Sequence, residues 1–137
     1  MRYLLILALL ATGCASTSKS KSADSPRYVH VVMLWLKNPG NANDRQQLIE
    51  TSRHFVGKIP GLVSVSSGPV HPSTRPVVDS TYDVGLVMVF EDEKALLTYP
   101  SHPVHQRAVK EVITPLVDHF IVYDFADAKT AKGRSPE

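Results

Sequence analysis

Three polar side chains in the sequence stand among apolar neighbours and could carry acid–base chemistry: His30, Tyr99 and His105. His30 lies in a run of β-branched and aromatic residues, Tyr99 ends a short helical pattern, and His105 falls in the first turn of the next helix. Because the N-terminus of a helix disfavours positive charge, we expect His105 to be neutral and able to act as a base. A tyrosine and a histidine that face one buried cavity can share a proton transfer. We therefore predict these three residues as the candidate catalytic set.

The same residues also have a structural interpretation. In the segment from Tyr99 to His105, Pro103 would set the start of a helix and His102 could cap its first amides. His30 could be a core histidine that is hydrogen-bonded across the sheet. Both interpretations stay open at the level of the sequence.

Metal, nucleotide and nucleic-acid binding find little support in the sequence. His102 and His105 could hold a metal together with His30, but histidines without a nearby carboxylate or cysteine are a weak metal signal. Two further histidines, His54 and His71, are predicted to lie at the surface. No Gly-rich phosphate loop is present, and the net charge is only +2, without a basic stripe interleaved with aromatics. We expect no cofactor, no metal and no nucleic-acid partner, since proton transfer in a dry cavity requires none of them.

The N-terminal residues have the layout of a secretory signal. Arg2 gives a charged start, and the apolar run from Leu4 to Ala11 is too short for a helix of ~20 residues that spans a bilayer. Thr12-Gly13 directly before Cys14, the single cysteine, resemble a bacterial lipobox. The resemblance implies that the chain is cut before Cys14 and that its thiol carries a fatty acyl chain of the palmitate type. Acylation would also remove an unpaired thiol, which is a liability outside the cytoplasm.

These signals divide the chain into four parts. We predict a signal peptide over 1–13, an acylated cysteine with a flexible tether over 14–26, a domain over 27–125 and a disordered tail over 126–137. Ala15, and not an aspartate, follows the cysteine, which by resemblance to Gram-negative sorting signals favours an outer-membrane anchor with the domain in the periplasm. The alternatives are an inner-membrane lipoprotein and a secreted protein that is cleaved after Ala15.

Within the domain, apolar patterning predicts four strands and two helical regions. The second strand is more polar than the others, which are rich in β-branched and aromatic residues. The predicted elements are a strand over 28–37, a helix capped by Asp44 and running to about Lys58, strands over 62–70 and 81–91, a helical region broken at Pro100, and a strand over 119–125. This β-α-β-β-α-β order is that of a ferredoxin-like α+β sandwich.

The first strand is apolar on both of its faces. The even-numbered residues from His30 to Leu36 form one face, and the odd-numbered residues from Val29 to Trp35 form the other. The third strand repeats this pattern. Because the helices cover only one face of such a sheet, the second apolar face predicts a partner sheet and therefore a homodimer.

Several short segments of the domain match one known family. They are Val29-His30-Val31-Val32, Ile59-Pro60-Gly61-Leu62, Tyr82-Asp83-Val84, Val89-Phe90-Glu91-Asp92, Tyr99-Pro100-Ser101-His102-Pro103-Val104-His105 and Ile121-Val122-Tyr123-Asp124-Phe125. With these segments the domain resembles the stress-responsive dimeric α/β-barrel (Dabb) family. The resemblance covers residues 28–125, and its most specific piece is Tyr-x-x-His-Pro-x-His. It implies two ferredoxin-like subunits that pack sheet to sheet as a dimeric α/β barrel, and a role in stress response.

The resemblance also implies a function for the candidate residues. A plant member of the family is a polyketide cyclase whose tyrosine and histidine acid–base pair corresponds to Tyr99 and His105, with His30 matching another cavity histidine. A further cavity tyrosine of that enzyme falls near Ser52, so this part of the pattern is missing. The sequence therefore favours a protein that binds a small apolar or aromatic molecule in the barrel cavity. The alternative is a cofactor-free enzyme, a polyketide-cyclase-like lyase or isomerase that uses the Tyr/His pair.

Overall fold

The first strand, β1, lies inside a four-stranded antiparallel sheet that carries helices on one face. The computed structural model describes residues 26–128, so the predicted signal peptide, Cys14 and most of the tether and tail lie outside the described residues. Within the described part, no helix combines the length and apolar character that a membrane crossing requires. The elements are β1 (Tyr28–Leu36), α1 (Ala42–Arg53), β2 (Leu62–Pro69), β3 (Val84–Phe90), α2 (Glu93–Thr98), a 3₁₀ turn (Tyr99–Ser101), α3 (Pro103–Ala108), a π-helical turn (Val109–Ile113), a last helical turn (Thr114–Leu116) and β4 (Val117–Ala126).

The order of the strands across the sheet is β2-β3-β1-β4, and all neighbouring pairs are antiparallel. This order confirms the predicted ferredoxin-like α+β fold. The last strand pairs with the first, and its register places Asp124 directly opposite His30. The pairing therefore brings residues from the two ends of the domain to the same place.

The helix-covered face of the sheet forms the hydrophobic core. Every second residue of β3 is buried, and Phe90 is 0% exposed. The predicted apolar row with a spacing of four residues packs against this core from the last helical region: Val104, Ala108, Val112 and Leu116. Burial of these side chains is the main favourable contribution that holds the helices on the sheet.

Helix α1 begins and ends earlier than its sequence pattern predicts. Asn41 is the N-cap, because its side-chain oxygen accepts hydrogen bonds from the amides of Asn43 and Asp44. Asp44 lies in the first turn, where a carboxylate also stabilises a helix. The helix ends at Arg53, and the turn that follows includes Gly57 with a φ of 75°, a left-handed conformation that does not continue a helix.

The second helical region has more interruptions than the single one predicted at Pro100. His102 caps α3, with its ring Nδ1 accepting a hydrogen bond from the Val104 amide at 3.3 Å. Beyond α3 the chain widens into a π-helical turn, in which the amide of Thr114 donates to the carbonyl of Val109. Pro115 follows and has no N–H to continue regular helical bonding. Such π turns are frequent at functional sites, and this one borders the cavity described below.

A buried carboxylate ties the end of β1 to α1. Asp83 is 4% exposed and accepts hydrogen bonds from the amides of Leu36 and Gly40 at 3.0 and 2.7 Å. The Arg45 guanidinium donates two more, at 3.2 and 2.9 Å. Burial by itself raises the pKa of Asp83, but the hydrogen bonds and the Arg45 charge together outweigh it, so the pKa lies below its ordinary value. Asp83 therefore fixes the loop between β1 and α1.

The other face of the sheet is apolar and carries no helix from the described part of the chain. We call it the open sheet face; strand register assigns to it Val29, Val31, Met33, Trp35, Val87, Val89, His119, Ile121, Tyr123 and Phe125. On β4, Ile121 is 42% and Tyr123 is 57% exposed. A contiguous exposed apolar surface of this kind is typical of an interaction site.

Candidate functional site

An apolar cavity of about 160 Å³ lies between the sheet and the helices. Its lining comes from β1, β3, β4, the turn after α1 and the last helical region: His30, Val32, Leu34, Phe55, Leu86, Met88, Tyr99, His105, Val109, Ile113, Phe120 and Val122. The three predicted site residues are the polar members of this lining. The structure thus brings them together within one chain, on the helix-covered face of the sheet and not between two sheets.

His30 lies at the centre of a hydrogen-bonded series that ends at the cavity. Its Nδ1 is 2.6 Å from the Asp124 Oδ1, and its Nε2 is 2.8 Å from the Tyr99 hydroxyl. A carboxylate can only accept, so Nδ1 carries a proton and donates to Asp124. With a neutral His30 ring, Nε2 is then an acceptor, and the Tyr99 hydroxyl donates to it. The series therefore runs from the Asp124 carboxylate through one imidazole to the phenol.

Tyr99 is held as a neutral phenol at the wall of the cavity. It is 7% exposed, and its ring packs against Phe90 with centroids 4.9 Å apart. Burial raises the pKa of Tyr99 to about 12, and the negative charge of Asp124 acts in the same direction. At neutral pH Tyr99 therefore keeps its proton. That proton is donated to a bound molecule when Nε2 of His30 is itself protonated and donates to the Tyr99 oxygen.

His105 faces Tyr99 across the cavity wall, with ring centroids 4.8 Å apart and nearly perpendicular planes. Its Nδ1 donates to the Pro100 carbonyl at 3.2 Å, which leaves Nε2 of the neutral ring with a lone pair. The pKa of His105 is lowered, mainly by burial, against an opposing effect of the Pro100 hydrogen bond and with a smaller contribution from His30. Burial thus acts in the same direction as the neutral state predicted from the sequence.

Ser52 stands apart from the cavity. It is 6% exposed, and its hydroxyl lies 2.9 Å from the Ile49 carbonyl and 3.0 Å from the Ser67 hydroxyl. The Ser52 hydroxyl therefore has hydrogen-bond partners in α1 and in β2. Ser52, near which the family resemblance placed a further cavity tyrosine, therefore contributes no side chain to the lining.

The remaining histidines have other environments. His102 caps α3, and His54, His71 and His119 are exposed. Among residues 26–128, no group of three His, Cys, Asp or Glu side chains is placed so that it could hold a metal.

Asp124 is the site residue that the sequence reasoning missed. The sequence pattern places it only in the last strand, and β4 puts it on the same face as Phe120 and Val122, which line the cavity. An acidic residue on the apolar face of a strand was the available signal. Its partner could be named only after the pairing of β1 with β4, because 94 residues separate Asp124 from His30.

The fold and the site together define a ferredoxin-like α+β domain with an acid–base cluster on an internal cavity. The sequence model of one protein family, described as the stress responsive A/B barrel domain (Dabb), matches residues 29–127. The chain belongs to this family. A comparison with curated proteins found no match.

Solved structures with this fold come from several organisms. A Dabb family protein with a ferredoxin-like fold from Mesorhizobium loti is 22% identical, with a TM-score of 0.61 and coverage of 76% of this chain and 99% of that one. A dimeric ferredoxin-like protein of unknown function from Thermobifida fusca is 19% identical, with a TM-score of 0.60 and coverage of 75% and 92%. A hydroxynitrile lyase from Passiflora edulis is 16% identical, with a TM-score of 0.61 and coverage of 76% and 95%. At these identities the similarity concerns the fold.

Proposed function

We propose that the cavity binds a small apolar or aromatic molecule and that Tyr99 and His105 transfer protons to and from it. The supporting observation is the hydrogen-bonded series from Asp124 through His30 to Tyr99, which ends in an apolar cavity beside a neutral His105. The sequence alone favoured binding without turnover. The Asp124 carboxylate shifts the balance, since it orients His30 and stabilises an imidazolium in the manner of an acid–base relay.

In the proposed reaction, Nε2 of His105 takes a proton from a carbon next to a carbonyl group of the bound molecule. The carbonyl oxygen, on which negative charge develops, takes the proton of the Tyr99 hydroxyl. This transfer uses the imidazolium form of His30, which takes up a proton from solvent and is stabilised by Asp124. Its Nε2 proton is donated to the Tyr99 oxygen and replaces the proton that Tyr99 gives up, which leaves His30 neutral. Asp124 accepts from the Nδ1 proton of His30 throughout and balances its charge.

This sequence of steps gives an enol and a protonated His105. When His105 gives its proton to another carbon and the enol hydroxyl returns its proton to Tyr99, an isomer of the starting molecule forms. When the enol carbon instead attacks a second carbonyl of the same molecule, a ring closes: the new alkoxide takes the proton of His105, and the enol hydroxyl again returns its proton to Tyr99. The proposal therefore names isomerisation and cyclisation as the reaction classes. A related lyase reaction would use the same acid–base pair on different atoms, and a structural neighbour is itself named a hydroxynitrile lyase.

The size of the cavity limits the group that it encloses. A cavity of about 160 Å³ is close to the ~150 Å³ apolar cavity that holds one benzene molecule in an engineered protein. We therefore expect one six-membered ring or a short branched chain to be enclosed.

The experiment that tests the proposal begins with native mass spectrometry of protein purified from its own cells, to find the bound molecule. That molecule is then incubated with the protein in D₂O, and deuterium on carbon is followed by mass spectrometry together with any conversion. Incorporation of deuterium or conversion supports proton transfer. A bound molecule that neither exchanges nor changes supports the second candidate, a binding protein without turnover, which is favoured by the largely apolar lining.

We also propose that two copies of the chain associate through the open sheet face. Burial of apolar surface contributes ~25 cal/mol per Å², and obligate interfaces usually exceed ~2,000 Å² in total. Sedimentation of residues 24–137 is expected to show a dimer, and Ile121→Asp on that face is expected to give a monomer. The matched control is Leu97→Asp on α2, a residue that is 70% exposed away from the sheet. A parent protein that is monomeric at micromolar concentration would contradict the proposal.

We further propose that the protein is anchored to the outer membrane through Cys14, with its domain in the periplasm. Acyl chains contribute about 0.8 kcal/mol per buried CH₂, and a bacterial lipoprotein carries more than one chain, so the anchor would be stable. Cys14→Ser is expected to abolish labelling by a clickable palmitate analogue and to release the protein from the membrane fraction. Ser18→Ala is the control and should label normally. Persistent labelling of Cys14→Ser, or a free mature N-terminus at Ser16, would overturn the idea.

A further inference from the structure

A second, more open depression adjoins the cavity on its helical side. His105 and Val109 line both, so the two spaces adjoin at these side chains. The depression has a volume of about 510 Å³ and is completed by Pro100, Gln106, Lys110 and Thr114. A molecule too large for the cavity alone would extend into it.

The last helical region presents two neighbouring rows of side chains, each with a spacing of four residues. The first row lines the cavity: His105, Val109 and Ile113. The second row lines the depression: Gln106, Lys110 and Thr114. Because residues four apart share a helix face, a molecule that contacts both rows meets the cavity on one side and, on the other, a depression whose surface is mostly apolar and whose one charged side chain is Lys110.

Charge also differs between the two spaces. Asp124 places a carboxylate next to the polar end of the cavity, and its charge already acts on the Tyr99 phenol. A second anion buried there would be repelled by the Asp124 carboxylate, and burial of an uncompensated charge is strongly unfavourable. Lys110, by contrast, is exposed and is the one charged residue that lines the depression. No ion pair joins it to another described residue.

We propose that the molecule bound by this protein is amphipathic, with an apolar ring in the cavity and a carboxylate in the depression, where Lys110 binds it. The inference rests on the proposed function, because it names the chemical class of the molecule that the same cavity takes. It also gives the reaction an orientation, since the carboxylate end fixes which carbon lies beside His105.

The test compares two probes of equal shape, 4-phenylbutanoate and the neutral 4-phenylbutanamide, by titration calorimetry with the full-length protein. The acid is expected to bind more tightly than the amide. Lys110→Gln should weaken binding of the acid about tenfold, equivalent to about 1.4 kcal/mol, and leave the amide unchanged. Benzoate, whose carboxylate would have to enter the cavity with the ring, should bind more weakly than 4-phenylbutanoate by a similar factor.

Lys94→Gln is the matched control, because Lys94 is exposed on α2, lines neither the cavity nor the depression, and the variant loses the same charge. It should bind both probes like the parent. Val122→Trp, on the partly exposed wall of the cavity, should block both probes if the ring enters there. Equal affinity for acid and amide, or an unaffected Lys110→Gln, would overturn this inference and leave the proposed function intact. Absence of binding by both probes would also overturn it, whereas the proposed function is decided separately by the deuterium experiment.

Discussion

Replacing Tyr99 with phenylalanine is expected to lower turnover, or deuterium exchange on carbon, by a factor on the order of a hundred or more. The variant loses the hydroxyl that gives its proton to the carbonyl oxygen, but it keeps the ring that packs against Phe90 and lines the cavity. Affinity for the bound molecule should therefore change little. Rates are measured by mass spectrometry and affinity by calorimetry on the same preparations.

Tyr82→Phe is the matched control, since this hydroxyl belongs to a tyrosine that packs on Trp35 and does not line the cavity. It should turn over at the parental rate. The pH profile gives an independent check. Because His105 must be neutral to accept a proton and its pKa is lowered, activity should persist below pH 6.5 and fall as the pH drops through the pKa of His105. With the pKa of Tyr99 at about 12, no loss from its ionisation is expected near neutral pH. A Tyr99→Phe variant with parental turnover would contradict the proposed role.

Asp83→Asn is expected to lower the free energy of unfolding by about 3 kcal/mol, as found when one partner of a buried ion pair is removed. The loss arises because Arg45 and the amides of Leu36 and Gly40 all donate to this one carboxylate. Urea unfolding at pH 7 measures it. Asp118→Asn is the control, because Asp118 is exposed and pairs with His119 at the surface, where such pairs contribute about 0–1 kcal/mol.

The stability that Asp83 contributes should depend on pH in a defined direction. The folded-state pKa of Asp83 lies below the ordinary value of 3.8, so the ionised carboxylate stabilises the fold above that value. The contribution is lost as the pH falls through the folded-state pKa. The difference in stability between the parent and Asp83→Asn should therefore be full at pH 5 to 7 and shrink in strong acid. A difference that stays constant down to pH 2 would show that the carboxylate charge is not its source.

The fold was largely predictable because its strands carry local signals. Runs of β-branched and aromatic residues over β1, β3 and β4 predict strands wherever they occur in a chain. The helix boundaries were predicted less well. Asn41 and Asp44 can both cap a helix. Which of them caps α1 depends on the conformation of the loop before the helix, and Asp83, 38 residues beyond Arg45 in sequence, holds that loop. The π turn before Pro115 also depends on packing, since the apolar spacing of four residues fits one regular helix equally well.

The sequence by itself determined the order of the elements, the two apolar faces of the sheet and the identity of His30, Tyr99 and His105 as polar residues in apolar surroundings. It did so because these properties follow from residue type and period along the chain. Only the tertiary structure decided that Asp124 completes the series with His30, that Ser52 is excluded from the cavity and that burial keeps His105 neutral. The physical reason is that hydrogen bonding and desolvation depend on distances between atoms that lie far apart in sequence, as the 94 residues between His30 and Asp124 illustrate.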